Sequence, residues 1–180
     1  MKRLFLSLEC YRTIMEEIIL LLGSNKGNRL TYLSEAVQKI SLLSKSPVVT
    51  SSIYESEPWG FETEIWFLNM AVLLSSDIIP EELLKEVLNI ERELGRVRNP
   101  DSNCYESREI DIDIIFYGSR VIDTNELSTP HPRMHLRKFV LAPVCEIRPD
   151  FIHPLLLKRV DDLLELCEDK SVVIKSCRVL

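Results

Sequence analysis

The stretch "REIDIDIIFYG", Arg108–Gly118, places three acidic residues in a segment that otherwise has the composition of a buried strand. Side chains alternate between the two faces of a strand. One face therefore carries three isoleucines: Ile110, Ile112 and Ile114. The opposite face carries three acids: Glu109, Asp111 and Asp113. The isoleucines are predicted to face a core, and the Cα atoms of Asp111 and Asp113 are predicted to lie roughly 6.5 to 7 Å apart.

Two carboxylates this close repel each other unless a positive charge stands beside them. Magnesium suits such a pair, because it takes one or two carboxylates and completes its shell with waters and substrate phosphates. Asp111 and Asp113 are therefore candidate Mg²⁺ ligands. The alternative is the solvated outer face of an antiparallel strand, and this stretch alone does not decide between the two.

The composition of the chain limits the classes of protein to which it can belong. At 180 residues it is long enough for one domain with a sizeable core. The net charge of -6 disfavours a nonspecific nucleic-acid binder, and no apolar run approaches the length of a membrane span. Five scattered cysteines form no CxxC pair, so a disulfide framework and a zinc site are not indicated. We expect a protein of the reducing cytoplasm.

The start of the chain only weakly resembles a secretion signal. Its short apolar stretch contains Glu9, and no small-residue cleavage site follows. Met15 stands just before the first strong strand. We therefore expect residues 1–14 to be a dispensable extension or the result of an upstream start, and residues 15–180 to form a single domain.

The periodicity of the chain predicts an alternating order of strands and helices. Strands are predicted at 18–23, 48–56, 66–76 and 108–118, and helices at 28–44, from about 80 to 95, and at 136–147. A Pro-punctuated stretch before the last helix is expected to hold a short hairpin. The order βαββαβ predicts an α+β fold of the ferredoxin-like kind: an antiparallel sheet with helices on one face and an open active-site face.

Arginines crowd the sequence just before the acidic strand: Arg92, Arg96, Arg98 and Arg108. Guanidinium groups suit phosphate oxygens, so these residues could neutralise a transferring phosphoryl group. The alternative is that they pair with neighbouring acids. His131 is fenced by two prolines, which could hold it against a nucleotide phosphate or simply make it a turn residue.

Aromatic residues cluster with one amide between the second and third predicted strands: Trp59, Phe61, Trp66, Phe67 and Asn69. Flat walls with a single amide suit a heteroaromatic ring that is stacked and selected by hydrogen bonds. The edge of a core would produce the same composition.

Several motifs occur together in one order: "GSN", "SSIYESEPWG", "FLN", "GRVR", "SREIDIDIIFYG", and "TPHPRM" with "RKFVLAPVCEI". From about Ile18 to Pro154 the chain thereby resembles the 6-hydroxymethyl-7,8-dihydropterin pyrophosphokinases of folate biosynthesis. The resemblance implies transfer of pyrophosphate from ATP to the hydroxymethyl oxygen of the pterin, with two Mg²⁺ ions. We therefore expect a monomer whose partners are these small molecules, and neither nucleic acid nor a membrane.

The resemblance carries roles to individual residues. It implies that Asp111 and Asp113 hold both metal ions, and that Arg96 and Arg108 stabilise the transferring group. The residues that it places at ATP are Glu91, Arg98, Ile112 through its backbone, His131 and Arg137. The residues that it places around the pterin are Ser56, Glu57, Trp59, Phe67, Asn69, Tyr105 and Phe139. Glu57 stands where a proline is frequent in the family pattern.

Two other functions share some of these features. A metal-dependent phosphohydrolase would also use paired acids, a histidine and arginines, although further metal-ligand histidines at useful spacing are not seen. A ligand-binding or RNA-binding module of ferredoxin-like fold needs no catalysis. RNA binding favours aromatic residues on basic strands, whereas the open face predicted here is acidic.

Overall fold

A computed structural model of the chain describes residues 14–60, 63–97 and 106–180. The strands are β1 (Glu16–Ser24), β2 (Val49–Thr50), β3 (Tyr54–Ser56), β4 (Phe67–Ser76), β5 (Asp111–Tyr117), β6 (Ile122–Asp123), β7 (Ser128–Thr129) and β8 (Val173–Lys175). The helices are α1 (Arg29–Ser41), α2 (Pro80–Glu93), α3 (Lys138–Ile147) and α4 (Val160–Glu165), and a short 3₁₀ turn spans Met134–Leu136.

One antiparallel sheet organises the molecule. Its strands follow the order β5-β1-β4-β3-β8, and β2 pairs with β4 beside β3. The two central strands, β1 and β4, are separated in sequence by a helix, as in the split βαβ arrangement. The predicted α+β, ferredoxin-like fold is confirmed.

Helices α1 and α2 cover the first face of the sheet. Their buried residues recur every three or four positions: Leu33, Ala36 and Ile40 on α1, and Leu83, Val87 and Ile90 on α2. They pack against alternate strand residues: Ile18, Leu20 and Leu22 on β1, and Ile112 and Ile114 on β5. Asn28 caps α1, and Pro80 opens α2 with two glutamates in its first turn. This face is the main core.

The second face is not wholly open, in contrast to the simple picture of helices on one face. Helices α3 and α4 cover one half of it, where they bury Val140, Val144 and Leu163 against Ile19 and Phe116. The continuous apolar run of β1 agrees with this result, because a strand that is buried on both faces carries apolar residues at every position. Among the described residues, none of these helices covers the half of the second face that lies near Asp111.

The strand predicted at 48–56 is interrupted, which corrects that prediction. The backbone N–H of Ser51 donates to the carbonyl of Ala71 at 2.9 Å, but the N–H of Ala71 donates to the Ser51 hydroxyl, also at 2.9 Å. A side chain therefore takes the place of a backbone carbonyl in the ladder. The strand breaks there into β2 and β3.

The remaining predicted helices and strands are confirmed, and their observed ends lie within about three residues of the predicted ones. The expected short hairpin is also present, as β6–β7. The C-terminal elements α4 and β8 have no counterpart in the sequence-based prediction. Within the described residues, the structure contains no helix long and apolar enough to cross a bilayer.

Candidate active site

A cleft of about 250 Å³ opens on the uncovered half of the second face. Its floor is the sheet itself, where Gly23 on β1 lies between Asn69 on β4 and Asp111 on β5. One row further along, Leu21 lies between Ala71 and Asp113. A Cβ atom on Gly23 would stand 3.4 Å from Oδ1 of Asn69. Because Gly23 has no side chain, the space above the sheet between Asn69 and Asp111 stays open to a ligand.

Most residues that the sequence predicts for a site line this one cleft. They are Ser56, Glu57, Trp59, Phe67, Asn69, Arg96, Arg108, Asp111, Asp113, His131, Arg137 and Phe139. Three lining residues are not predicted: Leu21, Gly23 and Arg133. Arg98 and Tyr105 lie outside the described residues.

Asp111 stands between two guanidinium groups. Its Oδ1 contacts Nη1 of Arg96, and its Oδ2 lies 2.5 Å from Nη1 of Arg108. Arg96 also pairs with Glu91, with 2.5 Å between Nη1 and Oε1. Burial lowers the pKa of Arg96, but the charges of Asp111 and Glu91 outweigh this effect and leave the pKa raised. Arg96 therefore stays charged beside the acid.

Asp113 is in a less favourable environment. Burial and then the neighbouring charge of Asp111 raise its pKa to about 7, although Arg137 and Arg108 act in the opposite direction. A cation in front of these two carboxylates would relieve that repulsion. Within the described residues no three His, Cys, Asp or Glu side chains cluster as metal ligands. An ion held by Asp111 and Asp113 would thus complete its shell with water and substrate oxygens, which is the habit of Mg²⁺.

Glu91 and Ile112 lie behind the floor rather than in the cleft. Glu91 is almost wholly buried, and its Oε1 accepts a hydrogen bond from the N–H of Ile112 at 2.8 Å. The side chain of Ile112 packs into the core beneath α1 and α2. These two residues connect the end of α2 to β5, and they thereby fix the strand that presents the acids.

Asn25, in the motif "GSN", holds the start of the acidic strand. Its N–H donates to the carbonyl of Arg108 at 3.1 Å, and its Oδ1 accepts from the N–H of Arg108 at 2.8 Å. Its amide nitrogen donates to the hydroxyl of Ser107 at 3.0 Å. Asn25 is fully buried, so this two-way link sets the position from which Arg108 reaches Asp111.

A β-bulge in β5 anchors the loop that carries His131. Ile115 has no partner in the register with β1, and its carbonyl accepts the N–H of His131 at 3.0 Å. The Nδ1 of His131 accepts the N–H of Arg133 at 3.2 Å. Burial, and then the charges of Arg137 and Arg133, lower the pKa of His131 to about 4. His131 is therefore neutral at pH 7, with its proton on Nε2 available to an acceptor.

The aromatic wall of the cleft has two parts: the loop after β3, which carries Trp59, and the start of α3, which carries Phe139 next to Arg137. The guanidinium carbon of Arg137 lies 4.4 Å from the ring centroid of Trp59 and 5.6 Å from that of Phe139. The amide nitrogen of Asn69 donates to the hydroxyl of Ser56 at 2.9 Å. This bond fixes the orientation of the amide and leaves Oδ1 over Gly23, where it can accept a hydrogen bond from a ligand.

Comparison with known proteins gives one consistent result. The sequence model of the family described as 7,8-dihydro-6-hydroxymethylpterin-pyrophosphokinase (HPPK) matches residues 19–149. The chain is 38% identical over 144 residues to the 2-amino-4-hydroxy-6-hydroxymethyldihydropteridine pyrophosphokinase of Aquifex aeolicus, covering 80% of this chain and 88% of that one. It is 46% identical over 130 residues to the enzyme of the same name from Bacillus subtilis, covering 70% of this chain and 74% of that one.

Some relatives are much longer than this chain. The folic acid synthesis protein fol1 of Pneumocystis carinii is 40% identical over 157 residues, which cover 87% of this chain but 21% of that protein. The crystal structure of Plasmodium falciparum HPPK-DHPS superposes with a TM-score of 0.67 at 15% identity, covering 87% of this chain and 45% of the other. That likeness shows the shared fold, and the chain spans less than half of the Plasmodium protein.

Proposed function

Because the chain belongs to the 7,8-dihydro-6-hydroxymethylpterin-pyrophosphokinase family, we propose that it transfers the β,γ-pyrophosphate of ATP to the hydroxymethyl oxygen of 6-hydroxymethyl-7,8-dihydropterin. The products are AMP and the pterin diphosphate, a step of tetrahydrofolate biosynthesis. One observation carries the proposal: a single cleft joins an acidic pair with arginines to an aromatic wall with one oriented amide.

At the phosphate end, Asp111 and Asp113 would hold Mg²⁺, two ions being expected from the family resemblance. When bound, Mg²⁺ neutralises charge on the phosphate oxygens and helps to orient them. In the ligand-free arrangement Arg96 and Arg108 neutralise Asp111. ATP phosphates would compete for these guanidinium groups, so that the arginines turn towards the transferring group and Asp111 becomes available to the metal.

The arginines have the chemistry that pyrophosphoryl transfer requires. Such a transfer needs positioning and charge neutralisation more than covalent help from the protein. Arg96 and Arg108 would stabilise charge on the transferring group. Arg137 and the Nε2–H of His131 would bind ATP phosphates, with Arg98 beside them.

At the other end of the cleft, the aromatic wall would hold the pterin ring. Trp59, Phe67 and Phe139 offer flat surfaces, and Oδ1 of Asn69 would accept an N–H of the ring. Ser56, Glu57 and Tyr105 would complete the enclosure. Glu91 and the backbone of Ile112 would contribute to the nucleotide side by fixing β5 rather than through the cleft surface.

The wider setting is proposed on the same basis. Residues 15–180 would form one pyrophosphokinase domain that acts as a cytoplasmic monomer on small molecules, with residues 1–14 dispensable.

The test is to incubate the protein with ATP, MgCl₂ and 6-hydroxymethyl-7,8-dihydropterin and to quantify the nucleotides. We expect one AMP for each pterin diphosphate, and loss of both products when EDTA is added. ADP or free phosphate in place of AMP would contradict pyrophosphate transfer. AMP formation that persists in excess EDTA would contradict the proposed metal dependence.

A further inference from the structure

The C-terminal strap, defined here as residues 169–175, contacts two segments that carry cleft residues: the start of α3 and the loop after β3. None of the strap residues lines the cleft itself. The first contact of the strap is with α3. Oδ2 of Asp169 accepts the N–H of Lys138, the first residue of α3, at 2.9 Å. Arg137, at the N-cap position, supplies no side-chain cap itself. Asp169 therefore caps α3 from a distant part of the chain.

Asp169 has the charge that this position favours. Burial tends to raise its pKa, but hydrogen bonds from the N–H groups of Ser171 and Lys138 outweigh that effect and lower it. An anion at a helix N-terminus is stabilised by the helix dipole and the free N–H groups. The capped end of α3 carries Arg137 and Phe139, which form one wall of the cleft.

The second contact of the strap is with the loop that forms the facing wall. The N–H of Val172 donates to Oε2 of Glu57 at 2.8 Å, and the carbonyl of Val172 accepts the N–H of Glu57 at 3.3 Å. Val173 then pairs with Ser56 in the sheet. Of these two bonds, only the one to Oε2 depends on the side chain of Glu57, because the other joins two backbone groups.

The start of α3 and the loop after β3 meet where Arg137 stacks on Trp59, with 4.4 Å between the guanidinium carbon and the ring centroid. Each partner of the stack lies within two residues of a strap contact, Arg137 beside Lys138 and Trp59 two residues after Glu57. Ser56, which Val173 pairs with, also orients the amide of Asn69. A strap that holds both partners of this stack would lower the entropy lost when a flat ring binds beside it.

We propose that the C-terminal strap holds the aromatic wall in its ring-binding arrangement, and that Asp169 is a positioning residue for the pterin. This inference rests on the proposed function, since it names the ring that the wall receives. The strap acts through Lys138 and Glu57 and takes no part in the transfer step. Its loss should therefore raise the KM for the pterin more than it lowers kcat.

The test uses Asp169→Ala in a Trp66→Phe background, in which Trp59 is the remaining tryptophan. Loss of one cap should raise the pterin KM about fivefold to tenfold, and change kcat by about twofold or less. Trp59 fluorescence of the free protein should shift, because its stacking on Arg137 loosens. Asp169→Asn keeps an acceptor for the Lys138 N–H and should stay within about twofold of the parent. Glu168→Gln removes one exposed negative charge next door and should match the parent in every readout.

Unchanged pterin KM and unchanged Trp59 fluorescence in Asp169→Ala would overturn the proposal. So would equal defects in the Asn and Ala variants. If Asp169→Ala does not fold, Val172→Pro decides, because it removes the N–H that Glu57 accepts while the carbonyl of residue 172 remains, and it should also raise the pterin KM. If the parent protein makes no AMP, the proposed function fails, and Trp59 fluorescence with direct titration of the pterin still decides the role of the strap.

Discussion

Asp111 and Asp113 lie on the same face of one strand but in different electrostatic environments. Asp111 is neutralised by two guanidinium groups, whereas burial and the charge of Asp111 raise the pKa of Asp113 to about 7. A carboxylate in that situation costs stability at neutral pH, and such a cost is typical of a functional site. Asp113 is thus the residue at which activity and stability should oppose each other most clearly.

Asp113→Asn should separate the two. We expect product formation to fall roughly 100-fold or more, because Asp113 is one of the two proposed metal ligands. The folded pKa is raised, so the charged form is penalised above pH 7 and the penalty disappears as the pH falls towards 4. The variant should therefore gain about 2 kcal/mol in unfolding free energy at pH 8 and almost none at pH 4. Urea denaturation at both pH values measures this difference in unfolding free energy. Glu86→Gln, at an exposed residue, is the control. Equal stability of Asp113→Asn and the wild type at pH 8 would contradict the prediction.

His131 should give a pH dependence of opposite sign. Its folded pKa is lowered to about 4 from an ordinary value of 6.5. Below pH 6.5 the unfolded chain binds a proton at His131 that the folded protein does not bind. The unfolding free energy therefore falls as the pH drops from about 6.5 to about 4, and the total decrease is about 3 kcal/mol at most. His131→Gln should remove that part of the decline. The difference in unfolding free energy between wild type and variant isolates it from His153, whose pKa is also lowered. A difference that does not vary from pH 7.5 to pH 4.5 would refute this origin.

The residues found from the sequence are those whose signal is local. The alternation in β5 predicts which face the acids take, because a strand repeats every two residues. Gly23 is missed because its contribution is the absence of a side chain, which becomes visible only when Asn69 and Asp111 are known to flank it. Arg133 is missed because the path of an irregular loop decides whether it faces the cleft.

At the scale of elements, the link between α2 and β5 controls how the acids are presented. Glu91 lies near the end of α2, and its carboxylate binds both the N–H of Ile112 and Arg96. This single side chain joins a helix terminus, a strand and a cleft arginine. The sequence predicts both elements but not their connection, because a buried glutamate on an otherwise apolar helix face gives no indication of its partner.

Replacement of Glu91 tests that link. Glu91→Ala leaves the Ile112 N–H and the Arg96 charge without this acceptor and should lower the unfolding free energy by about 3 kcal/mol. Glu91→Gln keeps an oxygen for the Ile112 N–H and should lose about half of that. Chemical denaturation with circular dichroism measures both. If the two variants were equally stable, the bond to Ile112 would not be the important one.

The elements that the sequence does not predict depend on distant partners. β2 and β3 separate because the Ser51 hydroxyl takes a ladder position opposite Ala71, which no local pattern predicts. β8 has three residues and forms only because β3 offers an edge. The cover that α3 and α4 provide on the second face is likewise a tertiary result, since the amphipathic pattern of a helix does not say which face it meets.

At the scale of the whole molecule, charge is distributed unevenly. The chain carries a net charge of -6, yet among the described residues four arginines line the cleft: Arg96, Arg108, Arg133 and Arg137. An acidic protein with a local cationic site can collect one polyphosphate while it disfavours long polyanions. The ferredoxin-like sheet supplies the rigid floor, and the loops and α3 supply the walls.

The proposed boundary of the domain can be tested by truncation. Strand β1 begins at Glu16, and Ile14, the first described residue, is 71% exposed. A chain that starts at Met15 should unfold cooperatively and keep its activity within about twofold of the full chain. Differential scanning calorimetry and the AMP assay measure this. Loss of cooperative unfolding would show that the preceding residues belong to the fold.

The central claim is that Asp111 and Asp113 hold divalent ions against the triphosphate of ATP. Calorimetric titration with α,β-methylene-ATP, with and without Mg²⁺, measures this directly. The analogue cannot be cleaved between its α- and β-phosphates, which is the linkage that pyrophosphate transfer breaks. Wild type should bind the analogue about tenfold or more tightly with Mg²⁺, and an Asp111→Asn, Asp113→Asn double variant that still unfolds cooperatively should lose that gain. The same Mg²⁺-dependent gain in the double variant would contradict the account.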